Sequence, residues 1–129
     1  LRRERYWQPY HQALSAELER IKTIHGYALL WDAHSIAAEV PRFFDGRLPS
    51  LNLGTADNRS CHPLLSQDLY SVIHKSGFTS VHNGRFKGGY ITRHYGDPQA
   101  SVQAVQMEIA QSAYLSDQMT DQKVPELDS

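Results

Sequence analysis

The feature that most constrains this chain is a short apolar run that follows a predicted helix. Residues 27–33, YALLWDA, show little alternation between apolar and polar positions, which is typical of a strand buried on both faces of a sheet. The preceding segment, residues 9–26, has apolar residues three and four positions apart, opens with Pro9 and closes with Gly26. That spacing predicts an amphipathic helix. A helix that leads into a buried strand favours an α/β fold.

The remaining segments continue this alternation. The sequence predicts further strands at residues 51–55, 78–82, 90–95 and 101–110, and a second helix at residues 63–77. In the last strand, Val105, Met107 and Ile109 point to one face, and Glu108 points to the other, because strand side chains alternate. Between the first two strands, residues 35–50 predict a long irregular loop.

Composition narrows the class of protein. The 129 residues suffice for one domain, and a formal net charge of -1 excludes a strongly basic nucleic-acid binder. The sequence contains no apolar run long enough to cross a membrane. Cys61 is the only cysteine, so no internal disulfide can form. We therefore expect a cytoplasmic protein in a reducing compartment.

Two polar residues follow the apolar run and point to a ligand. In open α/β sheets, ligands gather beyond the carboxyl ends of the strands, and His34 is expected at such an end. Asp32, two residues earlier, lies on the same side of an extended strand and is expected to orient the imidazole. Because a single histidine does not define a metal site, a hydrogen-bonded histidine at a strand end is the structural alternative.

Glu108 lies inside the otherwise apolar segment AVQMEIA. A carboxylate there is costly unless it is paired or faces a polar cleft. A partly desolvated glutamate suits a general base in a metal-dependent hydrolase. The alternative is a structural salt bridge, for which Arg93 is the nearest candidate in the sequence.

The glycine-rich segment NGRFKGGYITRHYG, residues 83–96, carries Asn83, Arg85 and Arg93 among its polar residues. Arginine binds carboxylates through two parallel hydrogen bonds, and glycines let backbone approach a ligand closely. The segment therefore predicts a small-anion site, with a solvated turn as the alternative. Arg42, in the long loop after His34, is expected to reach the same cleft.

Cys61 raises a competing chemistry. It adjoins His62 and precedes the second predicted helix, where a thiol can have a lowered pKa. A Cys–His nucleophile is therefore an alternative, although a lone cysteine is more often buried.

Six segments occur in a fixed order: RERYWQPYHQAL, HGYALLWDAHSI, EVPRFFDGRLPSLNLGTAD, SCHPLL, NGRFKGGYITRHYG and AVQMEIAQSAYL. Together they resemble the N-formylglutamate amidohydrolase family, also called N-formylglutamate deformylases, of bacterial histidine degradation. The resemblance extends to about Leu115. It implies an α/β fold with a mixed sheet flanked by helices, similar to zinc exopeptidases of the carboxypeptidase type. It also implies hydrolysis of N-formyl-L-glutamate to L-glutamate and formate with Zn²⁺ or another divalent metal.

The resemblance assigns roles to individual residues. It implies that His34 binds the metal and that Glu108 is the catalytic glutamate. It also implies that the substrate carboxylates are held by polar side chains, for which the candidates are Arg93, Arg85, Asn83 and Arg42. Two positions depart from the family pattern. Asn58 replaces an expected glycine, which asparagine can do in a left-handed turn, and Gln103 replaces a frequent histidine whose role is in doubt here.

The resemblance also implies an incomplete chain. Family members are about twice this length, and their N-terminal half carries a further histidine motif and strands of the same sheet. We therefore expect residues 1–129 to form a single partial domain, with residues 116–129 as a flexible tail. The isolated chain is expected to be inactive, because the missing half completes the site. The alternative is a non-catalytic fragment or degenerate homologue that binds small dicarboxylates.

Overall fold

The computed structural model describes residues 1–115. Within these residues the elements are α1 (Gln8–His25), β1 (Ala28–Ile36), β2 (Leu51–Gly54), α2 (Pro63–His74), β3 (Ser80–His82), α3 (Tyr90–Tyr95) and β4 (Val102–Ala110). None of the helices in this described part has the length and hydropathy needed to cross a membrane. The predicted flexible tail, residues 116–129, lies outside the described residues.

The four strands form one mixed sheet in the order β1-β4-β2-β3. β1 pairs with β4 in parallel, β2 pairs with β4 antiparallel, and β3 pairs with β2 in parallel. The prediction of a mixed α/β fold is therefore confirmed. Because β4 has a partner on each side, it is an inner strand, and the residues it carries are the best shielded from water.

The local signals at both ends of α1 are confirmed, whereas α2 ends at His74, three residues before its predicted end. Pro9 lies in the first turn of α1, and Gly26 ends this helix in a left-handed conformation with φ 81°. Glycine has no Cβ to oppose that conformation. At the start of α2, the ring of His62 accepts a hydrogen bond from the backbone N–H of Leu64, which satisfies one of the free donors of the first turn.

One face of the sheet packs against α2. Leu53, Val105 and Met107 are buried there with Cys61, and the partly buried residues around them include Leu65, Leu69, Tyr70, Ile73 and Ile109. This confirms the predicted apolar face of β4. Burial of such side chains contributes about 25 cal/mol for each Å² of apolar surface removed from water.

β1 differs from its prediction, which was a strand buried on both faces. It lies at the edge of the sheet, and Leu29 and Trp31 remain 42% and 44% exposed. The strand also continues to Ile36, so His34 lies within it and not beyond its end. The physical reason is that α2 covers β4 and β2, whereas no element of residues 1–115 pairs with the outer edge of β1.

We expect the isolated 129-residue chain to self-associate through β1, because a long edge strand with exposed apolar side chains readily pairs with another chain. Trp31→Lys is expected to lower this association in sedimentation velocity at increasing protein concentration. Tyr114→Lys, which removes an aromatic ring that is also exposed but lies after β4, is the control. A wild-type chain that stays monomeric would contradict the expectation.

Residues 90–95 form a helix, so the prediction of a strand there was wrong. This segment lies over the face of the sheet, against β4 and β1, and not beside an edge strand, so its backbone groups pair with each other in a helix. In the helix, the rings of Tyr90 and His94 stack one turn apart with centroids 4.8 Å from each other. The buried Thr92 lies against Gly88, whose φ is 111° and whose Cβ position is blocked by the threonine methyl group.

The loop between β1 and β2 has its own small core. Phe44 and Leu48 are buried there with Ala38 and with Ala110 at the end of β4. The loop therefore folds back over the carboxyl ends of the two parallel strands. Phe43, in contrast, is 65% exposed.

Candidate active site

Four polar side chains share one face of the parallel strand pair. Asp32 and His34 come from β1, and Gln106 and Glu108 come from β4. The strand register sets Asp32 beside Gln106 and His34 beside Glu108. Paired positions on neighbouring strands are about 5 Å apart. The face is opposite the one covered by α2, since residues two apart on a strand point the same way and their neighbours point away.

His34 is oriented by Asp32, as predicted. Its Nε2 lies 2.8 Å from Asp32 Oδ1. An ionised carboxylate only accepts, so Nε2 donates its hydrogen and Nδ1 carries a free lone pair. The Asp32 side chain is only 14% exposed, whereas the His34 side chain is 47% exposed. The imidazole therefore presents one defined nitrogen toward open space.

Glu108 is buried, with 7% of its surface exposed. Loss of hydration raises the pKa of its carboxyl group, which the nearby His34 and a hydrogen bond from Gln106 partly oppose and the Asp32 charge reinforces. The side chain makes no salt bridge within residues 1–115. Arg93 is not its partner, since Arg93 Nη1 donates to Gly88 O at 2.6 Å.

Gln106 links this polar face to the glycine-rich segment. Its Nε2 donates to Glu108 Oε2 at 3.2 Å, and its Oε1 accepts from the backbone N–H of Gly89 at 2.6 Å. From the sequence alone, no role was assigned to Gln106. The available signal was a second polar residue in the apolar segment AVQMEIA, two positions before the glutamate.

The backbone of residues 87–89 crosses the sheet at very short range. A Cβ atom on Gly54 would lie 2.6 Å from Gly88 N, which no structure tolerates. Gly54 pairs with Gln106 across β2 and β4, so the crossing lies over the polar face. The glycines were predicted to let backbone approach a ligand, and in the described residues Gly54 and Gly88 let two backbone segments approach each other.

The predicted anion-binding side chains fall into two places. Arg42 and Arg85 lie at the loop between β1 and β2, with the Arg42 guanidinium near the Phe43 ring and that of Arg85 over the Phe44 ring. Both are exposed. Arg93 lies on α3, and it lines a separate pocket with Arg59, a residue for which the sequence gave no signal.

Asn83 takes part in a polar network around the buried Thr55. Its Oδ1 accepts from Thr55 N, and its Nδ2 donates to Thr55 Oγ1, both at 2.8 Å. His82 Nε2 lies 2.9 Å from the same hydroxyl, and Asn58 Oδ1 accepts from it at 3.1 Å. The backbone of Asn58 has φ 63°, the left-handed conformation expected where asparagine replaces glycine.

His82 makes stability depend on pH. Burial lowers the pKa of its imidazole, an effect that the Asp57 charge partly opposes, and its ring stacks on Tyr70. Below a pH of about 6.5, His82 becomes protonated in the unfolded chain but stays neutral in the folded chain. The free energy of unfolding therefore falls as pH falls. His82→Gln is expected to reduce this dependence in urea titrations between pH 7.5 and pH 5.5.

The control for that titration is His25→Gln, at the exposed end of α1. It is expected to leave the pH dependence of the urea midpoint as in the wild-type chain. An unchanged dependence in His82→Gln would contradict the assignment to His82.

Cys61 is not arranged as a nucleophile. Its side chain is fully buried in the core under α2, and burial raises the pKa of its thiol. The neighbouring His62 caps α2 and does not approach the sulfur as a base. The Cys–His alternative therefore has no support in this geometry.

The residues of the polar face meet only part of the requirements of a metal site. The free Nδ1 of His34 and the carboxylate that fixes its ring are the features of a metal-binding histidine. Residues 1–115, however, contain no group of three or more His, Cys, Asp or Glu side chains placed to hold a metal ion. Within the described residues, His34 has the features of one metal ligand, and no second and third ligand lie beside it.

The fold and this face define a mixed α/β protein with a histidine–carboxylate pair beside a buried glutamate. The sequence matches the N-formylglutamate amidohydrolase family over residues 1–115, and the chain belongs to that family.

Relatives and a solved structure agree with this assignment. The chain is 53% identical over 115 residues to the N-formylglutamate deformylase of Pseudomonas putida, and 55% identical over 113 residues to that of Pseudomonas aeruginosa. These alignments cover 88% and 87% of this chain but 43% and 42% of the relatives. The crystal structure of N-formylglutamate amidohydrolase from Ralstonia eutropha JMP134 superposes with a TM-score of 0.75 at 25% identity, covering 89% of this chain and 42% of that chain. The chain therefore spans less than half the length of the relatives it matches.

Proposed function

We propose that the protein containing this chain hydrolyses N-formyl-L-glutamate to L-glutamate and formate. Family membership supports this reaction, since the relatives that are 53% and 55% identical to this chain are named N-formylglutamate deformylases. The observation that carries the assignment to particular residues is the register of His34 beside Glu108 on adjacent parallel strands. This register brings a candidate metal ligand, His34, and a candidate general base, Glu108, to one face of the sheet.

Glu108 acts as the general base in this proposal. It takes a proton from the water that attacks the formyl carbon and delivers that proton to the glutamate nitrogen as the C–N bond breaks. A carboxyl group whose pKa is raised by burial suits both steps, because its proton affinity lies closer to the working pH. Gln106 holds one carboxylate oxygen and so limits the rotation of the side chain.

His34 supplies one ligand to a zinc ion or another divalent metal in this proposal. Such a metal, when bound, polarises a carbonyl and lowers the pKa of water. Asp32 fixes the orientation of the His34 ring. The further ligands come from the remainder of the longer protein.

Arginine side chains hold the two carboxylates of the substrate. Arg42 and Arg85 are exposed near the carboxyl ends of β1 and β4, and Arg93 lies on α3 beside the strap of residues 87–89. Asn83 is a weaker candidate for binding a substrate carboxylate, because both polar atoms of its amide group form hydrogen bonds with Thr55.

The remainder of the longer protein completes the sheet beside β1. The uncovered edge and the exposed Leu29 and Trp31 support this arrangement, and so does the coverage of less than half of each relative. The proposal includes a carboxypeptidase-like architecture for the whole and a cytoplasmic location, which the single reduced and buried Cys61 supports.

The test is a chimera in which this chain replaces the matching segment of the Pseudomonas putida enzyme. It is expected to release formate from N-formyl-L-glutamate much faster than from N-formyl-L-leucine, which lacks the second carboxylate. The isolated 129-residue chain is expected to release none. A folded chimera that binds glutarate but releases no formate would favour a binding-only homologue.

A further inference from the structure

Arg59 and Arg93 line one small pocket. Its volume is about 240 Å³, and its other walls are Ala56, Ser60 and Gly96. Arg59 follows β2 in the chain, and Arg93 belongs to α3. Two arginines from separate elements therefore line one cavity.

Each of the two guanidinium groups is held by one hydrogen bond to a backbone carbonyl. Arg59 Nε donates to Ala56 O at 2.9 Å, and Arg93 Nη1 donates to Gly88 O at 2.6 Å. Among the described residues, the remaining N–H groups of both guanidinium groups have no hydrogen-bond partner. Neither arginine forms a salt bridge within residues 1–115. Two positive charges beside one cavity repel each other, and a bound anion reduces this repulsion.

The acidic residues nearest to the pocket are engaged elsewhere. Asp57 pairs with Lys87 at 3.1 Å. Asp97 Oδ1 accepts hydrogen bonds from the backbone N–H groups of Gln99 and Ala100. Neither carboxylate forms an ion pair with Arg59 or Arg93 within residues 1–115.

The turn that presents Arg59 is held rigidly. Ala56, Asp57 and Asn58 have φ values of 49°, 55° and 63°, and successive left-handed residues without glycine are costly. Thr55 and Ser66 stabilise the turn by hydrogen bonds to Asn58 at 3.1 Å and 2.7 Å. Arg59 is thus preorganised, which lowers the entropic cost of binding.

Hydrogen bonds connect the pocket with the polar face that carries Glu108. Arg93 donates to the backbone carbonyl of Gly88, and the N–H of the next residue, Gly89, donates to Gln106, two positions before Glu108 on β4. The segment of residues 88–89 therefore contacts both the pocket and the polar face.

We propose that Arg59 and Arg93 form a carboxylate subsite that takes the γ-carboxylate of the substrate. This inference rests on the proposed function for the identity of the ligand. It adds Arg59 as a specificity-determining residue, because bidentate contacts from arginine favour a planar carboxylate over a neutral amide.

The first test is direct binding of glutarate to the 129-residue chain. Glutarate is expected to shift the Nε–Hε NMR signals of Arg59 and Arg93, and Arg59→Gln is expected to weaken binding by about tenfold or more. Arg20→Gln, on the exposed face of α1, is the control and is expected to bind as the wild-type chain does. Absence of these shifts overturns the subsite, and tighter binding of inorganic phosphate at the same signals overturns its assignment to a carboxylate.

The second test compares two substrates in the chimera. Arg59→Gln is expected to raise KM for N-formyl-L-glutamate by about tenfold and to leave KM for N-formyl-L-glutamine nearly unchanged. Equal changes for both substrates overturn the γ-carboxylate assignment. If the wild-type chimera releases no formate, the proposed function fails, whereas the glutarate titration still decides whether the subsite exists.

Discussion

Glu108→Gln in the chimera is expected to lower kcat for N-formyl-L-glutamate by about 10²–10⁴-fold, the usual contribution of a general base. The amide keeps the shape of the side chain and its contact with Gln106 but takes no proton from water. Zinc content is expected to stay at the wild-type level, because Glu108 is assigned as a base and not as a ligand. Formate release and metal analysis of the purified protein measure the two quantities.

The stability of this variant is an internal control. Burial raises the pKa of the Glu108 carboxyl group, so its charged form opposes folding at neutral pH. Glu108→Gln is therefore expected to unfold at the same temperature as the wild type or a higher one. Glu19→Gln, on the exposed surface of α1, is expected to retain full turnover. Loss of zinc in Glu108→Gln would make Glu108 a metal ligand.

His34→Ala is expected to remove zinc binding and formate release together in the chimera. His34 offers one oriented nitrogen, and a site with three protein ligands does not retain its metal well with two. Asp32→Asn is expected to weaken zinc affinity by about 10–100-fold, the usual effect of losing the carboxylate that orients a metal-bound histidine. Competitive titration with a chromophoric zinc chelator gives both affinities.

His25→Ala, at the exposed C-terminal end of α1, is the matched control for His34→Ala. It is expected to bind zinc and release formate as the wild-type chimera does. Retention of stoichiometric zinc by His34→Ala would show that His34 is not a ligand.

Much of the fold could be predicted because its signals are local. Pro9 and Gly26 mark the ends of α1, and the alternation of Val105 and Met107 with Gln106 sets the two faces of β4. The pairing of Asp32 with His34 was predictable for the same reason, since residues two apart on a strand share a side.

The rest depends on partners distant in the sequence. Residues 90–95 alternate like a strand, but they lie over the face of the sheet against β4 and β1, where no strand can pair with them, and they form a helix instead. β1 has the composition of a buried strand, yet the residues that cover such a strand are absent from 1–115. Arg59 meets Arg93 only through the turn after β2 and the position of α3, which no spacing in the sequence encodes.

The most direct test of the account is formate release from N-formyl-L-glutamate by the chimera before and after removal of metal. Dialysis against a chelator is expected to abolish release, and addition of one equivalent of zinc is expected to restore it, in the wild-type chimera but not in His34→Ala. Formate release that persists without metal, or that zinc restores equally in His34→Ala, would contradict a metal-dependent site built on β1 and β4.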